Sequence, residues 1–258
     1  MKPSMNYFKT LIGLFFLTAT STDVFAQEDR AVVLMYGDSI TYGIGVLPRN
    51  GSGNAGNGGN FGPSVSELER LLNESRRNSL VLNWGAGGTT SVYGAEYIES
   101  SIDTSLNQHT ASQYFILIQY GTNDLSSNDY SSTTTEAAIR FMINAAIEKG
   151  VTPLLSKLTP RSDKDVGPLN IIIDTIAQDM TVPLVDNFST LTSFKTFFVY
   201  EPSYNDPDEF YYLHPNQMGY DKLAMNWFND LQTLIMPLPL PPPPPIIAPI
   251  MFLLLDND

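Results

Sequence analysis

Short apolar runs alternate with longer amphipathic segments between residues 31 and 234. The short runs are apolar at nearly every position, which is typical of parallel strands that are covered on both faces. We therefore predict five strands, at Ala31–Tyr36, Leu80–Asn83, Tyr114–Gln119, Thr152–Ser156 and Val182–Asp186.

Four helices are predicted in the segments that follow these strands. The first covers about Val65–Ser75, because Ser64 and Glu67 have the spacing of a capping box in front of an apolar periodic run. The other three are predicted at about Glu136–Lys149, from near Leu169, and from Pro215 to about Leu234.

The alternation of strands and helices indicates the fold class. Consecutive parallel strands need crossover helices, and these cover both faces of the sheet. Hydrophobic residues make up 43% of the 258 residues, enough for a substantial core. The sequence therefore predicts an α/β protein, a three-layer α/β/α sandwich with about five parallel strands.

The first 26 residues have the pattern of a signal peptide. Lys2 and Lys9 precede an apolar run at residues 11–19, and Val24 and Ala26 are small enough for the positions that a signal peptidase reads. The run is too short to span a bilayer as a helix. We therefore expect cleavage after Ala26 and export to the periplasm or the extracellular space.

The C-terminal segment, residues 237–258, differs from the rest of the chain. It begins with seven prolines between Pro237 and Pro245, a composition that favours an extended polyproline II rod. Ten apolar residues follow, interrupted by Pro249, so they are not predicted to span a membrane. Two interpretations stay open: a tail that docks on its own domain or is disordered, and an anchor to a surface or partner. We interpret residues 27–236, between the signal peptide and this segment, as one domain.

Charge and composition exclude several kinds of protein. The formal net charge is -13, so the surface offers no basic face for nucleic acid. The chain has no Cys and only two His, which excludes disulfides, thiol nucleophiles and cysteine zinc sites.

Polar clusters follow the predicted strands and open the last helix. In parallel sheets, ligands bind beyond the carboxyl ends of the strands, so these clusters should meet. Between them they offer a hydroxyl, glycine-exposed N–H groups, a carboxamide and an imidazole, which are the groups that acyl transfer requires. Taken singly, each residue also has a structural explanation, as a helix cap or a turn residue. The clusters are Gly37–Gly43, Asn83–Thr90, Gly121–Asp124 and His214–Tyr220.

These blocks, in this order, resemble those of the GDSL, or SGNH, hydrolase family of esterases and lipases. Gly-Asp-Ser-Ile matches the nucleophile block and assigns Ser39 as the nucleophile. The Asn-x-x-x-x-Gly spacing assigns the Gly88 N–H as an oxyanion donor, Gly-Thr-Asn-Asp assigns the Asn123 amide as another, and the Ser39 N–H is the third. His-Pro-Asn assigns His214 as the general base. The resemblance also implies a flavodoxin-like sandwich.

The sequence departs from the family pattern at the residue that should orient the base. The family usually has an Asp three residues before the His, and here that residue is Tyr211. A phenol cannot replace a carboxylate in holding the imidazole. Three substitutes are possible: Asp208 or Glu209 from the same loop, a remote acid such as Asp186, or a backbone carbonyl near Tyr211.

The resemblance implies a serine esterase that needs no metal or organic cofactor, and the signal peptide implies that it is exported. Its substrate would be a small-molecule ester, a lipid or an acetylated glycan, with short-chain carboxylic esters preferred, and we expect a monomer. Tyr93 and Tyr97 lie four residues apart, and two interpretations are open: they line an acyl or sugar site, or they are core residues, which is the more common role for aromatics at this spacing on a helix. The alternative is a carbohydrate- or surface-binding relative that has lost its acid and its catalysis.

Overall fold

Five parallel strands form the centre of the molecule in the order β2-β1-β3-β4-β5. The structure is a computed structural model and describes residues 30–47, 56–202 and 208–239, so the predicted signal peptide and most of the proline-rich segment lie outside it. All five predicted strands are confirmed, and only the last is clearly shorter than predicted. They are β1 Ala31–Gly37, β2 Ser79–Gly85, β3 Gln113–Gln119, β4 Thr152–Ser156 and β5 Leu184–Val185.

Helices cover both faces of this sheet, which confirms the three-layer sandwich. Two long helices pack on one face and three on the other. Among the described residues, no helix is both long enough and apolar enough to cross a bilayer. The helices are α1 Ser39–Tyr42, α2 Pro63–Glu74, α3 Ser91–Gln108, α4 Ser132–Glu148, α5 Gly167–Met180, α6 Asn187–Thr190, α7 Phe194–Phe197 and α8 Gln217–Leu234.

The middle strand β1 shows why the predicted strands are apolar throughout. Val33 packs in the cluster with α2 and α8, whereas Val32 and Leu34 pack in the cluster with α3, α4 and α5. All three side chains are fully buried. Because successive residues of a strand point to opposite faces, a strand covered on both sides needs an apolar residue at every position.

The capping box predicted for α2 is wrong. The helix begins two residues earlier, at Pro63, and its N-cap is Gly62, which has no side chain to donate or accept a hydrogen bond. Proline is well suited to the first helical position, because its missing N–H would be unpaired there anyway. Glu67 instead forms an ion pair with Arg70 one turn later, with an N–O distance of 2.6 Å.

A two-stranded antiparallel hairpin, which the sequence did not predict, lies between β5 and α8. Its strands are β6 Phe198–Pro202 and β7 Phe210–Pro215. The register shifts by one residue between Phe198 and Tyr200, which is a β-bulge with the extra residue in β7. The last helix begins at Gln217 rather than Pro215, because Pro215 is the last residue of β7 and Asn216 is the N-cap.

The first and last described residues lie at the amino edge of the sheet. The Arg30 carbonyl accepts the Ser112 N–H (2.9 Å), just before β3. The Leu238 N–H donates to the Arg76 carbonyl (2.8 Å), just before β2, and the Arg76 guanidinium donates back to the Leu238 carbonyl (3.1 Å). The chain therefore enters and leaves the domain on the same side.

Candidate active site

Ser39 is the first residue of α1, and a single residue, Asp38, separates it from the carboxyl end of β1. Asp38 caps this short helix, because its Oδ1 accepts the Ile40 N–H at 2.9 Å. The turn is compact: a Cβ at Gly37 would lie 2.6 Å from the Gln119 carbonyl oxygen of the neighbouring strand. Only glycine allows the chain to turn this tightly, and the turn carries Ser39 to the edge of the sheet.

Ser39, His214 and Glu201 form a continuous hydrogen-bonded chain. The Ser39 Oγ lies 2.8 Å from His214 Nε2, and His214 Nδ1 lies 2.6 Å from Glu201 Oε1. All three residues are nearly buried, with exposed fractions of 4–6%. The same Glu201 oxygen accepts the His214 backbone N–H at 3.1 Å, so the carboxylate fixes both the ring and its backbone. Hydroxyl, imidazole and carboxylate stand in the order of a serine hydrolase triad.

The β-bulge explains how His214 reaches Glu201. Glu201 pairs with Tyr211 across the hairpin, and Tyr200 pairs with Tyr212. Strict alternation would place His214 on the face of Tyr212, away from Glu201. The extra residue in β7 reverses the alternation and turns His214 to the face that carries the carboxylate, a common use of bulges beside active sites.

The acid in contact with His214 is therefore none of those the sequence suggested. Asp208 and Glu209 are exposed and lie just before β7. Asp186 lies at the end of β5, where its Oδ1 accepts two backbone N–H groups at the start of α6. The carboxylate comes instead from Glu201 on the neighbouring strand, and a residue on an unpredicted strand has no signal in the sequence around His214.

The predicted oxyanion donors lie on two loops that are joined to the nucleophile turn and to each other. The Ala86 N–H donates to the Gly37 carbonyl (2.8 Å), and Asn123 Nδ2 donates to the Thr89 carbonyl (2.9 Å). Gly88 has a left-handed φ of 75°, and apart from Gly88 and its two chain neighbours no residue has an atom within 4 Å of where its Cβ would be. The structure thus brings the loops of Gly88 and Asn123 to the same edge as the nucleophile.

Asp124 anchors the loop that carries Asn123. Its carboxylate accepts the Ser91 N–H (2.9 Å), the Ser91 hydroxyl and the Thr135 hydroxyl (2.9 Å). Ser91 opens α3, and Thr135 lies in the first turn of α4. One buried carboxylate therefore fixes this loop to the starts of two helices, and through Ser91 it also fixes the loop of Gly88.

The carboxyl group of Asp38 is fully buried beside the nucleophile, and burial raises its pKa to about 7. The Ile40 N–H and the Thr122 hydroxyl favour the charged form and oppose this rise in pKa, as does the Arg161 guanidinium. The neighbouring Asp124 carboxylate raises the pKa of Asp38 further, because two negative charges repel each other. The dominant cause is loss of hydration, which disfavours the ionised form.

Two tyrosines of α3 differ from the sequence-based interpretation. Tyr93 and Tyr97 are 37% and 43% exposed, so they are not core residues. Their rings pack on each other instead, with centroids 4.5 Å apart. The buried face of α3 carries Ile98 and Ile102 instead.

The described residues, 30–47, 56–202 and 208–239, contain no group of three His, Asp or Glu side chains placed to hold a metal ion. The three carboxylates beside the site are bonded within the protein, Glu201 to His214, Asp124 to Ser91 and Thr135, and Asp38 to the Ile40 N–H. The site brings together the Ser39 hydroxyl and the His214 imidazole, with the Gly88 backbone and the Asn123 amide on the neighbouring loops, and groups of these kinds suit attack on a carbonyl.

Several solved structures with a similar fold are named as acylhydrolases, lipolytic proteins or esterases. A lipase/acylhydrolase from Enterococcus faecalis matches with a TM-score of 0.60 and 17% identity, over 81% of this chain and all of that one. A lipolytic G-D-S-L protein from Veillonella parvula gives 0.53 and 21% over 78% and 98%. An acetylxylan esterase from Geobacillus stearothermophilus gives 0.58 and 16% over 80% and 95%.

The sequence also matches a family model. No protein of curated function matches the chain. The model of the GDSL-like lipase/acylhydrolase family, whose members hydrolyse esters, matches residues 35–222, which include every block named above and most of the sandwich. The chain belongs to the GDSL-like lipase/acylhydrolase family.

Proposed function

We propose that this protein is an exported serine esterase that hydrolyses short-chain acyl or acetyl esters. The observation that carries the proposal is the chain of contacts from Ser39 Oγ through the His214 imidazole to the Glu201 carboxylate, at 2.8 and 2.6 Å. Glu201 supplies the acid that Tyr211 lacks, and this favours catalysis over the alternative of a carbohydrate- or surface-binding relative.

The first half of the reaction makes an acyl-enzyme. His214 Nε2 takes the proton from Ser39 Oγ, and the oxygen attacks the ester carbonyl carbon. The resulting oxyanion is bound by the N–H groups of Ser39 and Gly88 and by Asn123 Nδ2. When the tetrahedral intermediate collapses, the carbon–oxygen bond to the alcohol breaks and His214 returns its proton to the leaving oxygen.

The second half of the reaction releases the carboxylic acid product. A water molecule gives a proton to His214 Nε2 and attacks the acyl carbonyl, the same donors bind the oxyanion, and Ser39 leaves with the proton of His214. Throughout, Glu201 keeps the Nδ1 proton on the ring and stabilises the imidazolium that forms twice in each cycle. Every step uses protein groups and water.

Location and assembly are part of the same proposal. The apolar segment before Ala26 supports export, and the acidic surface suits a monomeric protein that acts on small or neutral substrates. N-terminal sequencing of the secreted protein tests cleavage after Ala26, and gel filtration tests the monomer.

Hydrolysis of p-nitrophenyl acetate, butyrate and octanoate by the full chain tests the activity. We expect turnover that is lost in Ser39→Ala and His214→Ala, with acetate or butyrate preferred. A fluorophosphonate should label Ser39 in a 1:1 ratio, because an unactivated serine reacts poorly. Equal turnover by the native protein and Ser39→Ala would overturn the proposal.

A further inference from the structure

Arg161 is a nearly buried cation in the loop between β4 and α5, with 4% of its side chain exposed. On one side its guanidinium binds Asp163, because Nε and Nη2 donate to the two carboxylate oxygens at 2.7 and 2.6 Å. On the other side Nη1 donates to the Thr122 carbonyl at 2.7 Å. The guanidinium is planar and its donors have fixed directions, so these three bonds define its position.

The bond to Thr122 fixes the peptide group that leads into Asn123. The Thr122 carbonyl and the Asn123 N–H belong to one planar unit, so a bond to this oxygen restricts where the Asn123 Cα lies. The residue on the other side of Asn123 is Asp124, whose carboxylate bonds the starts of α3 and α4. Asn123 is therefore held from both sides, by Asp124 towards these helices and by Arg161 towards the loop after β4.

The next residue of the same loop bonds the strand that carries the base. Ser162 donates its N–H to the Tyr212 carbonyl at 3.0 Å, and its hydroxyl accepts the Tyr212 N–H at 2.8 Å. Tyr212 lies two residues before His214 in β7. Consecutive residues of one loop thus contact the Asn123 loop and the strand of His214, so the loop sets the separation between them.

The loop is itself fixed to the domain at both ends. Asn170 of α5 is buried, and its side chain accepts the Leu158 N–H (2.8 Å) and donates to the Leu158 carbonyl (3.3 Å). The Leu158 side chain is fully buried, and Val166 at the other end of the loop is also buried. A loop anchored in this way can act as a rigid spacer between two parts of a site.

Arginine is needed here for its geometry and not only for its charge. A lysine has one nitrogen at its tip, which cannot reproduce the bonds of a guanidinium to groups on its two sides. Hydrogen bonds to a carboxylate are stronger than those to a neutral carbonyl. A lysine at this position should therefore bind Asp163 and release the Thr122 carbonyl.

We propose that Arg161 is a positioning residue of the esterase: through the Thr122 carbonyl it places the Asn123 amide where the oxyanion forms after Ser39 attacks. The inference rests on the proposed function, because it assigns a residue to the same reaction. Arg161 acts through Asn123 and does not itself touch the substrate. A displacement of about 1 Å in a catalytic group costs up to about 10²-fold in rate, so the effect is measurable.

Steady-state kinetics of Arg161→Lys on p-nitrophenyl acetate give the first test. We expect kcat to fall by about 10- to 100-fold, less than on removal of the Asn123 amide, with little change in KM, because an oxyanion donor acts in the transition state. Arg140→Lys is the matched control. Arg140 also bonds two carboxylates, Glu136 at 2.8 Å and Asp179 at 2.7 Å, but they lie on α4 and α5, so native kcat should be retained.

A double-mutant cycle distinguishes positioning of Asn123 from a general structural role. In the Asn123→Ala background, Arg161→Lys should change kcat by less than about twofold, because the group that Arg161 positions is already gone. A loss of kcat that multiplies with that of Asn123→Ala would overturn the inference, since Arg161 would then act on something else.

Asp163→Asn tests the same inference without disturbing a buried side chain, because 31% of the Asp163 side chain is exposed. Loss of its charge loosens the guanidinium, so kcat should fall by about 3-fold in otherwise native protein and stay unchanged in Asn123→Ala. Urea unfolding shows whether each variant is folded. If Arg161→Lys does not fold, the two Asp163→Asn measurements decide.

The outcomes separate this inference from the esterase proposal. Native kcat in folded Arg161→Lys, native kcat in Asp163→Asn, or equal losses in Arg161→Lys and Arg140→Lys would overturn the role of Arg161 while Ser39-dependent turnover persists. Failure of the esterase proposal appears differently, as equal turnover of p-nitrophenyl acetate by the native protein and Ser39→Ala.

Discussion

Glu201 lies directly opposite Tyr211 in the hairpin, so the carboxylate occupies the strand next to the one where the family usually has its acid. Both residues belong to adjacent antiparallel strands, and paired residues there have Cβ atoms about 5 Å apart. A carboxylate on either strand can therefore serve the same imidazole. The acid has a different sequence position but an equivalent spatial one.

Replacement of Glu201 tests this equivalence. Glu201→Gln keeps the shape but removes the charge that holds the Nδ1 proton and balances the imidazolium, so kcat on p-nitrophenyl acetate should fall by about 10³–10⁴. Glu209→Gln, which changes an exposed acid on the same hairpin, is the control and should retain native kcat. A change of less than threefold in Glu201→Gln would show that Glu201 is not the orienting acid.

Asn123 should contribute to the transition state more than to substrate binding. Asn123→Ala removes one proposed oxyanion donor, and we expect kcat to fall by about 10²–10³ with little change in KM. Steady-state kinetics on p-nitrophenyl acetate measure both constants. Asn128→Ala changes an exposed amide in the same loop and should be neutral; an equal loss in the two variants would point to disruption of the loop.

Asp38 should make stability depend on pH. Its carboxyl has a pKa of about 7 in the folded protein and 3.8 as a model value, so between these values the native state binds more protons than the unfolded state. The free energy of unfolding contributed by Asp38 therefore falls as the pH rises from about 4 to about 7, and is constant above that.

The Asp38→Asn variant isolates this effect. Asparagine caps helices as well as aspartate but does not titrate. Urea unfolding of both proteins at pH 4 to 8 should show the variant gaining stability relative to the native protein as the pH rises. Parallel curves for the two proteins would mean that Asp38 does not titrate in this range.

Gly94 should be required by packing rather than by backbone conformation. A Cβ there would lie 2.7 Å from the Tyr120 ring and 2.9 Å from the Met142 sulfur. Alanine gains about 1 kcal/mol of helix propensity, but overpacking costs about 1–3 kcal/mol, so Gly94→Ala should lower the free energy of unfolding by up to about 2 kcal/mol. Glu99→Ala, on the exposed face of α3, is the control for urea unfolding and should be neutral.

The sandwich could be predicted from the sequence because its strands are buried on both faces. Each position of β1 faces one of two helical layers, so the hydrophobic pattern is strong and local. The polar clusters at the strand ends could be placed together for the same reason, since parallel strands end at one edge. Ser39, Gly88 and Asn123 all lie in such clusters.

The hairpin could not be predicted from the sequence. Without it, the contact between Glu201 and His214 could not be predicted either. Its strands carry aromatic and polar residues without a clean alternation, and the bulge interrupts the period that a strand prediction needs. The contact between Glu201 and His214 joins residues 13 positions apart through that irregular pairing. Tyr93 and Tyr97 escaped prediction for a different reason, because spacing on a helix does not tell which face is buried.

Leu238 bonds with Arg76 at the amino edge of the sheet, whereas Ser39, His214 and Asn123 lie at the carboxyl edge. The C-terminal end of the described domain and the candidate site therefore lie at opposite edges of the sheet. A bead, fusion partner or surface that is attached through the C-terminal segment is therefore joined to the domain at the edge opposite Ser39, and the attachment does not begin beside the candidate site.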